Sequence, residues 1–141
     1  MLRRRGWRAP QNEVMSHVVA IVVRIIGLAA ATWLAFWAGN LGYDGVGANI
    51  GAGLLGFIAL ILVSLVWSFV DGRRSGRRGQ TLGRWLVVGV VIGVLSAFQA
   101  QSFAWGEHGI DTAVLLSDLS GLAPFTFGLV AVPALIGALV G

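Results

Sequence analysis

Residues 17–39 read HVVAIVVRIIGLAAATWLAFWAG, running from His17 through Ile25, Ile26, Trp33 and Phe36 to Gly39. After His17 only Arg24 and Thr32 interrupt the apolar run. At about 1.5 Å per residue, a helix of this length crosses the roughly 30 Å hydrocarbon core of a bilayer. Three more stretches of similar length and character follow, at about 49–70, 85–105 and 119–141. The pattern predicts an all-α integral membrane bundle of four transmembrane helices.

The rest of the composition agrees. The 141 residues are 57% hydrophobic and only 11% charged, whereas soluble domains carry about 25% charged residues. So few charges cannot cover the surface of a water-soluble domain, and lipid must be the solvent for much of the chain. With no cysteine, disulfides, thiolate metal sites and cysteine nucleophiles are excluded.

All ten basic residues are arginines, giving a net charge of +4. Arg3, Arg4, Arg5, Arg8, Arg73, Arg74, Arg77, Arg78 and Arg84 lie outside the apolar stretches, flanking them rather than forming a nucleic-acid surface. The Arg-rich start and the 71–79 connection alternate with two Arg-free connections, 40–48 and 106–118, which carry Asp44, Glu107, Asp111 and Asp118. By the positive-inside rule both termini lie in the cytoplasm, in a multi-pass protein of the cytoplasmic (inner) membrane. The first span is too long for a cleaved signal, whose apolar region has about 7–15 residues. Residues 1–16 are expected to be a basic, disordered cytoplasmic leader, with Met15 as an alternative start.

Small residues recur at a spacing of four: Ala48, Ala52 and Gly56 in the second span, Gly89, Gly93 and Ala97 in the third, Gly137 and Gly141 in the fourth. That spacing lets helix backbones approach closely in lipid. It serves either packing within one bundle or a homodimer.

Arg24 is the one basic residue inside a span, and a charge there needs a partner. Asp71 is the nearest plausible acid. Snorkelling to lipid phosphate, or binding a substrate anion, are the other readings. Gln99, Gln101, Ser96 and Ser102 make the far half of the third span polar, and Asp118 opens the fourth. These residues either line a cavity or hydrogen-bond between helices. Arg24, Asp71, Gln99, Gln101 and Asp118 are thus the candidate cavity and transport residues. Gln99 and Gln101 point about 200° apart, so at most one faces a given cavity.

His108 with Glu107, Asp111 and Asp118 lacks the spacing of a metal site. Nothing resembles a catalytic triad or nucleophile elbow, so neither an enzyme nor a cofactor is expected. Trp33, Trp37, Trp67, Trp85 and Trp105 fall near span ends, as interfacial anchors do. Pro124 is tolerated in an early turn of the fourth span, whereas the interior Pro133 predicts a kink.

Three stretches carry a family resemblance: Val66-Trp67-Ser68-Phe69-Val70-Asp71-Gly72-Arg73-Arg74; Arg84-Trp85-Leu86-Val87-Val88-Gly89 with Gly93-Val94-Leu95-Ser96; and Pro124-Phe125-Thr126-Phe127 leading to Val132-Pro133-Ala134-Leu135-Ile136-Gly137. From about Met15 to Gly141 the chain resembles the actinobacterial four-span proteins of the bacterial four-helix (B-4DMT) branch of the drug/metabolite transporter superfamily. The resemblance implies transport of small molecules and supplies no catalytic residues. The similarly sized small multidrug exporters use an acid within the first span. Arg24 stands in this first span and no acid does, so that proton-exchange mechanism does not fit.

Two functions follow as expectations. One is a secondary transporter, homodimeric, with a cavity between the second and third spans and an unknown small-molecule substrate. The other is a non-transporting accessory or scaffold protein that packs against another membrane protein.

Overall fold

The computed structural model describes residues 11–45, 49–75, 78–102 and 109–141. Their helices are α1 (Gln11–Gly39), α2 (Ile50–Ser75), α3 (Arg78–Ser102), α4 (Thr112–Ser120) and α5 (Leu122–Val140). The protein is an all-α membrane bundle with four spans, Val14–Gly39, Ile50–Arg74, Arg78–Gln101 and Thr112–Val140.

The boundaries differ from the sequence expectation in three places. α1 starts at Gln11, inside the segment expected as a leader over 1–16; residues 1–10 lie outside the described residues. The arginine-rich connection is mostly helix. Asp71, Gly72, Arg73 and Arg74 belong to the end of α2, and Arg78 opens α3. The fourth span begins at Thr112 rather than near 119, because Asp111 caps α4, accepting hydrogen bonds from the Ala113 and Val114 amides at 2.9 and 3.2 Å. The span is split at Gly121 (φ −111°, ψ −65°). Three residues later Pro124 has no N–H to give the Ser120 carbonyl, which accounts for the break. α5 then continues as helix through Pro133.

Around the bundle the order is α1, α2, α5, α3. α5 packs along both α2 and α3, α1 packs mainly on α2 and less on α3, and no α1–α5 contact occurs among the described residues. Leu28, Leu60, Trp85, Val88, Ile92, Val130 and Ala134 form the shared core, drawn from all four spans. Where a cavity was expected between the second and third spans, α5 inserts instead, with Val130 and Ala134 completely buried.

Among the residues of α2 whose side chains are described, every buried position falls on one series: Ala52, Gly56, Leu60, Ser64, Ser68 and Gly72. Steps of four residues advance about 40° past a full turn, so this stripe winds slowly around the helix. At one end it meets α1, where a Cβ on Gly39 would stand 2.7 Å from Ala52 Cα and one on Gly56 would stand 3.4 Å from Thr32 Cγ2. At the arginine-bearing end it meets α5, where a Cβ on Gly72 would stand 2.8 Å from the Ala138 carbonyl oxygen. Gly93 lets α3 close on α5 in the same way: a Cβ there would stand 2.5 Å from the Ala123 carbonyl oxygen. The small residues therefore pack this bundle internally. Ala48 lies outside the described residues.

Candidate functional site

At the arginine-bearing end the α2 stripe has turned toward α5, so α1 and α2 can no longer pack backbone to backbone, and long side chains fill the space. The centre of that filling is Arg24. Its position on α1 follows from the inward-facing series Ile21, Arg24, Ile25 and Leu28, the i, i+3, i+4, i+7 spacing of one helix face. Arg24 is 8% exposed. Its Nε and Nη2 both donate to Asp71 Oδ2, at 2.9 and 2.6 Å, and its Nη1 donates to the Ala20 carbonyl.

Asp71 Oδ2 also accepts a hydrogen bond from Trp85 Nε1 at 3.1 Å. The guanidinium carbon stands 5.9 Å from the Trp67 ring centroid and 5.8 Å from that of Trp85. The two indoles meet edge to face, with centroids 6.4 Å apart. Thus a cation from α1 is held by a carboxylate and an indole from α2 and a second indole from α3. Desolvating two charges in lipid is costly, and shared hydrogen bonds with aromatic contacts offset part of that cost.

Of the three readings of Arg24, pairing with Asp71 is what the structure contains. Trp85 corrects its expected place at the interface. It is wholly buried, because its N–H has a carboxylate partner inside the bundle and its ring a guanidinium. Trp67 is half-buried, and Gly27 makes room for it: a Cβ there would stand 2.5 Å from the ring. Trp33 and Trp37 are exposed on α1, as anchors would be. Trp105 lies outside the described residues.

A second link ties α1 to α3 at the same end, where Arg84 donates through Nε to His17 Nδ1 at 3.0 Å. Here His17 is an acceptor, which requires the neutral ring. Sequence reading did not pair these residues. They are 67 positions apart, and nothing local in the sequence signals such a contact.

The remaining sequence candidates lie toward the opposite end and do not join the Arg24 centre. Gln101 is 5% exposed and donates to Asp118 Oδ2 at 2.9 Å, joining α3 to α4. Asp118 sits within α4 rather than at the start of the span. Gln99 is exposed, on a different side of α3 from Gln101. Ser96 bridges α3 and α5 through Thr126 Oγ1 at 3.1 Å.

Among the described residues, every buried side-chain nitrogen or oxygen has a hydrogen-bond partner, and no three His, Asp or Glu side chains gather as a metal site would require. Glu107 and His108 lie outside the described residues. No known family, curated protein or solved structure matches the chain.

Proposed function

We propose that this membrane protein is a secondary transporter of small molecules, of the drug/metabolite transporter type, with the Arg24–Asp71–Trp85 centre as the element that opens and closes the path. The observation that carries this reading is an ion pair within the bundle, its arginine buried and its carboxylate partly so, shared by three helices. Packing alone is met at lower cost by apolar side chains, so an intramembrane ion pair points to function. The seam above it suits a gate. α1 is the least buried of the four spans and is joined to α3 by few contacts, among them the Arg84–His17 bond. Swinging α1 outward would expose a carboxylate, a guanidinium and two indoles to an entering solute. The resemblance to the drug/metabolite branch supports the same class. Both termini are cytoplasmic in this reading, from the placement of the arginines, and the exposed apolar face of α1 is where a second copy would complete the path.

A second reading has its own support. Among the described residues the buried polar side chains all have hydrogen-bond partners and α5 fills the space between α2 and α3, as in an accessory protein that holds another membrane protein and moves nothing.

The two readings separate in a thermal-shift screen of the purified protein against organic cations, anions and metabolites, with Arg24→Leu/Asp71→Leu as the comparison. A transporter gives a compound that raises the wild-type Tm, no shift in the folded double variant, and flux of that compound in proteoliposomes. A folded wild type that responds to nothing, and carries none of the panel across vesicles, overturns the transporter reading in favour of the accessory one.

A further inference from the structure

The outward side of α2 carries an open, almost wholly apolar groove lined by Leu62, Val63, Val66, Trp67 and Val70. Leu62 and Val66 are 53% and 60% exposed, so the groove faces out of the bundle. At about 100° per residue these five side chains span an arc of roughly 140°, and Arg73 and Arg74, one turn further on, fall inside the same arc. Both arginines are exposed, and the Arg73 guanidinium lies over the Phe69 ring at 4.6 Å. The apolar strip therefore ends in two cations on its own face.

From these observations we propose that α2 carries a binding site for one anionic phospholipid, with an acyl chain in the Leu62–Val70 groove and the headgroup phosphate on Arg73 and Arg74. The dimensions agree. Leu62 to Val70 is about 12 Å of helix, within the roughly 15 Å of one leaflet's hydrocarbon. The arginines stand where the span Ile50–Arg74 ends, at the depth of a headgroup, and guanidinium is suited to paired hydrogen bonds with phosphate. A zwitterionic lipid offers the same chain without net negative charge, so the arginines select and the groove retains. Trp67 lines the groove and also flanks Arg24, so an occupied groove holds one wall of the ion-pair centre in place. The lipid site stands independently of whether the centre gates transport.

The test is native mass spectrometry of the full chain in detergent with added phosphatidylglycerol, phosphatidylcholine or glycerol phosphate. One phosphatidylglycerol is expected per chain, favoured over phosphatidylcholine by roughly thirtyfold, the effect of two arginines at a membrane surface. Arg73→Ala/Arg74→Ala removes the preference, and Val66→Trp, which fills the groove with the arginines intact, removes retention of both lipids. Restoring the lost charge off this face, with Gly79→Arg and Gly83→Arg added to the double variant, leaves the preference absent. Glycerol phosphate retained as well as the lipid, a preference regained by the charge-restored variant, or no preference in the wild type would each overturn the site.

Discussion

One oxygen of Asp71 holds two nitrogens of Arg24, at 2.9 and 2.6 Å, although the residues are 47 positions apart. Arg24 is buried and Asp71 largely shielded because each has the other. Replacing either alone strands the survivor, so Arg24→Leu or Asp71→Leu lowers stability by about 3–5 kcal/mol. Arg24→Leu/Asp71→Leu recovers most of that loss. Detergent-solubilised thermal unfolding of the three variants checks the cycle, and a double variant as damaged as the sum of the singles would refute mutual compensation.

Gly137 lies directly on α2. A Cβ there would run into Ser68 Oγ and the Leu65 carbonyl and stand 3.0 Å from the Phe69 amide nitrogen. Backbone atoms cannot rotate away, so Gly137→Ala forces α5 off α2 and is expected to cost about 1–3 kcal/mol. Gly128, on the same helix, has open space at its Cβ position, and Gly128→Ala leaves the Tm unchanged or slightly raised. The paired Tm values test whether packing within the bundle, rather than helix propensity, sets the glycine requirement.

The Gln101–Asp118 hydrogen bond joins α3 to α4. Gln101→Leu leaves a carboxylate oxygen without this donor and is expected to cost about 1 kcal/mol. Hydrogen exchange in α4 rises more than in α2, because α4 makes no contact with α2 among the described residues. Equal increases in both helices would contradict that local role.

His17→Leu removes the acceptor that Arg84 uses on α1. The expected result is a loss of about 1 kcal/mol and faster exchange at the start of α1, with the α3–α5 contact unaffected. His17→Gln keeps an acceptor and recovers part of the loss.

The chain contains no cysteine, so single introduced thiols report topology without background. Gly79→Cys and Ile110→Cys both fall at exposed positions. With the arginine-bearing end in the cytoplasm, an impermeant thiol reagent labels Ile110→Cys in intact cells and leaves Gly79→Cys unlabelled until lysis. The reverse pattern would invert the orientation.

How much could be read in advance varies from residue to residue. Arg24 stands out because a lone charge in an apolar run demands an acid, and Asp71, at the matching end of the second span, is the nearest plausible one despite a separation of 47 positions. Trp85 is not placed by sequence because an indole near a span end looks the same whether it faces headgroups or a carboxylate within the bundle. The α2 stripe is legible at Ala52 and Gly56, where the residues are small and apolar, and less so at Ser64, Ser68 and Gly72, although the spacing of four is unbroken. Gln101 and Asp118 were both singled out, without the hydrogen bond between them.

That four apolar helices cross a bilayer follows from the order of residues alone, since hydrocarbon admits no unpaired backbone and these four stretches have the length to span it. The intervals at which helices can approach follow in the same way, since only small residues allow that closeness. Which helix meets which was decided by the tertiary structure. α5 enters between α2 and α3, and a stripe advancing about 40° at each step hands α2 from α1 to α5 along its length. Those packing choices, set by contacts between residues far apart in the chain, bring Arg24, Asp71 and Trp85 to a single point.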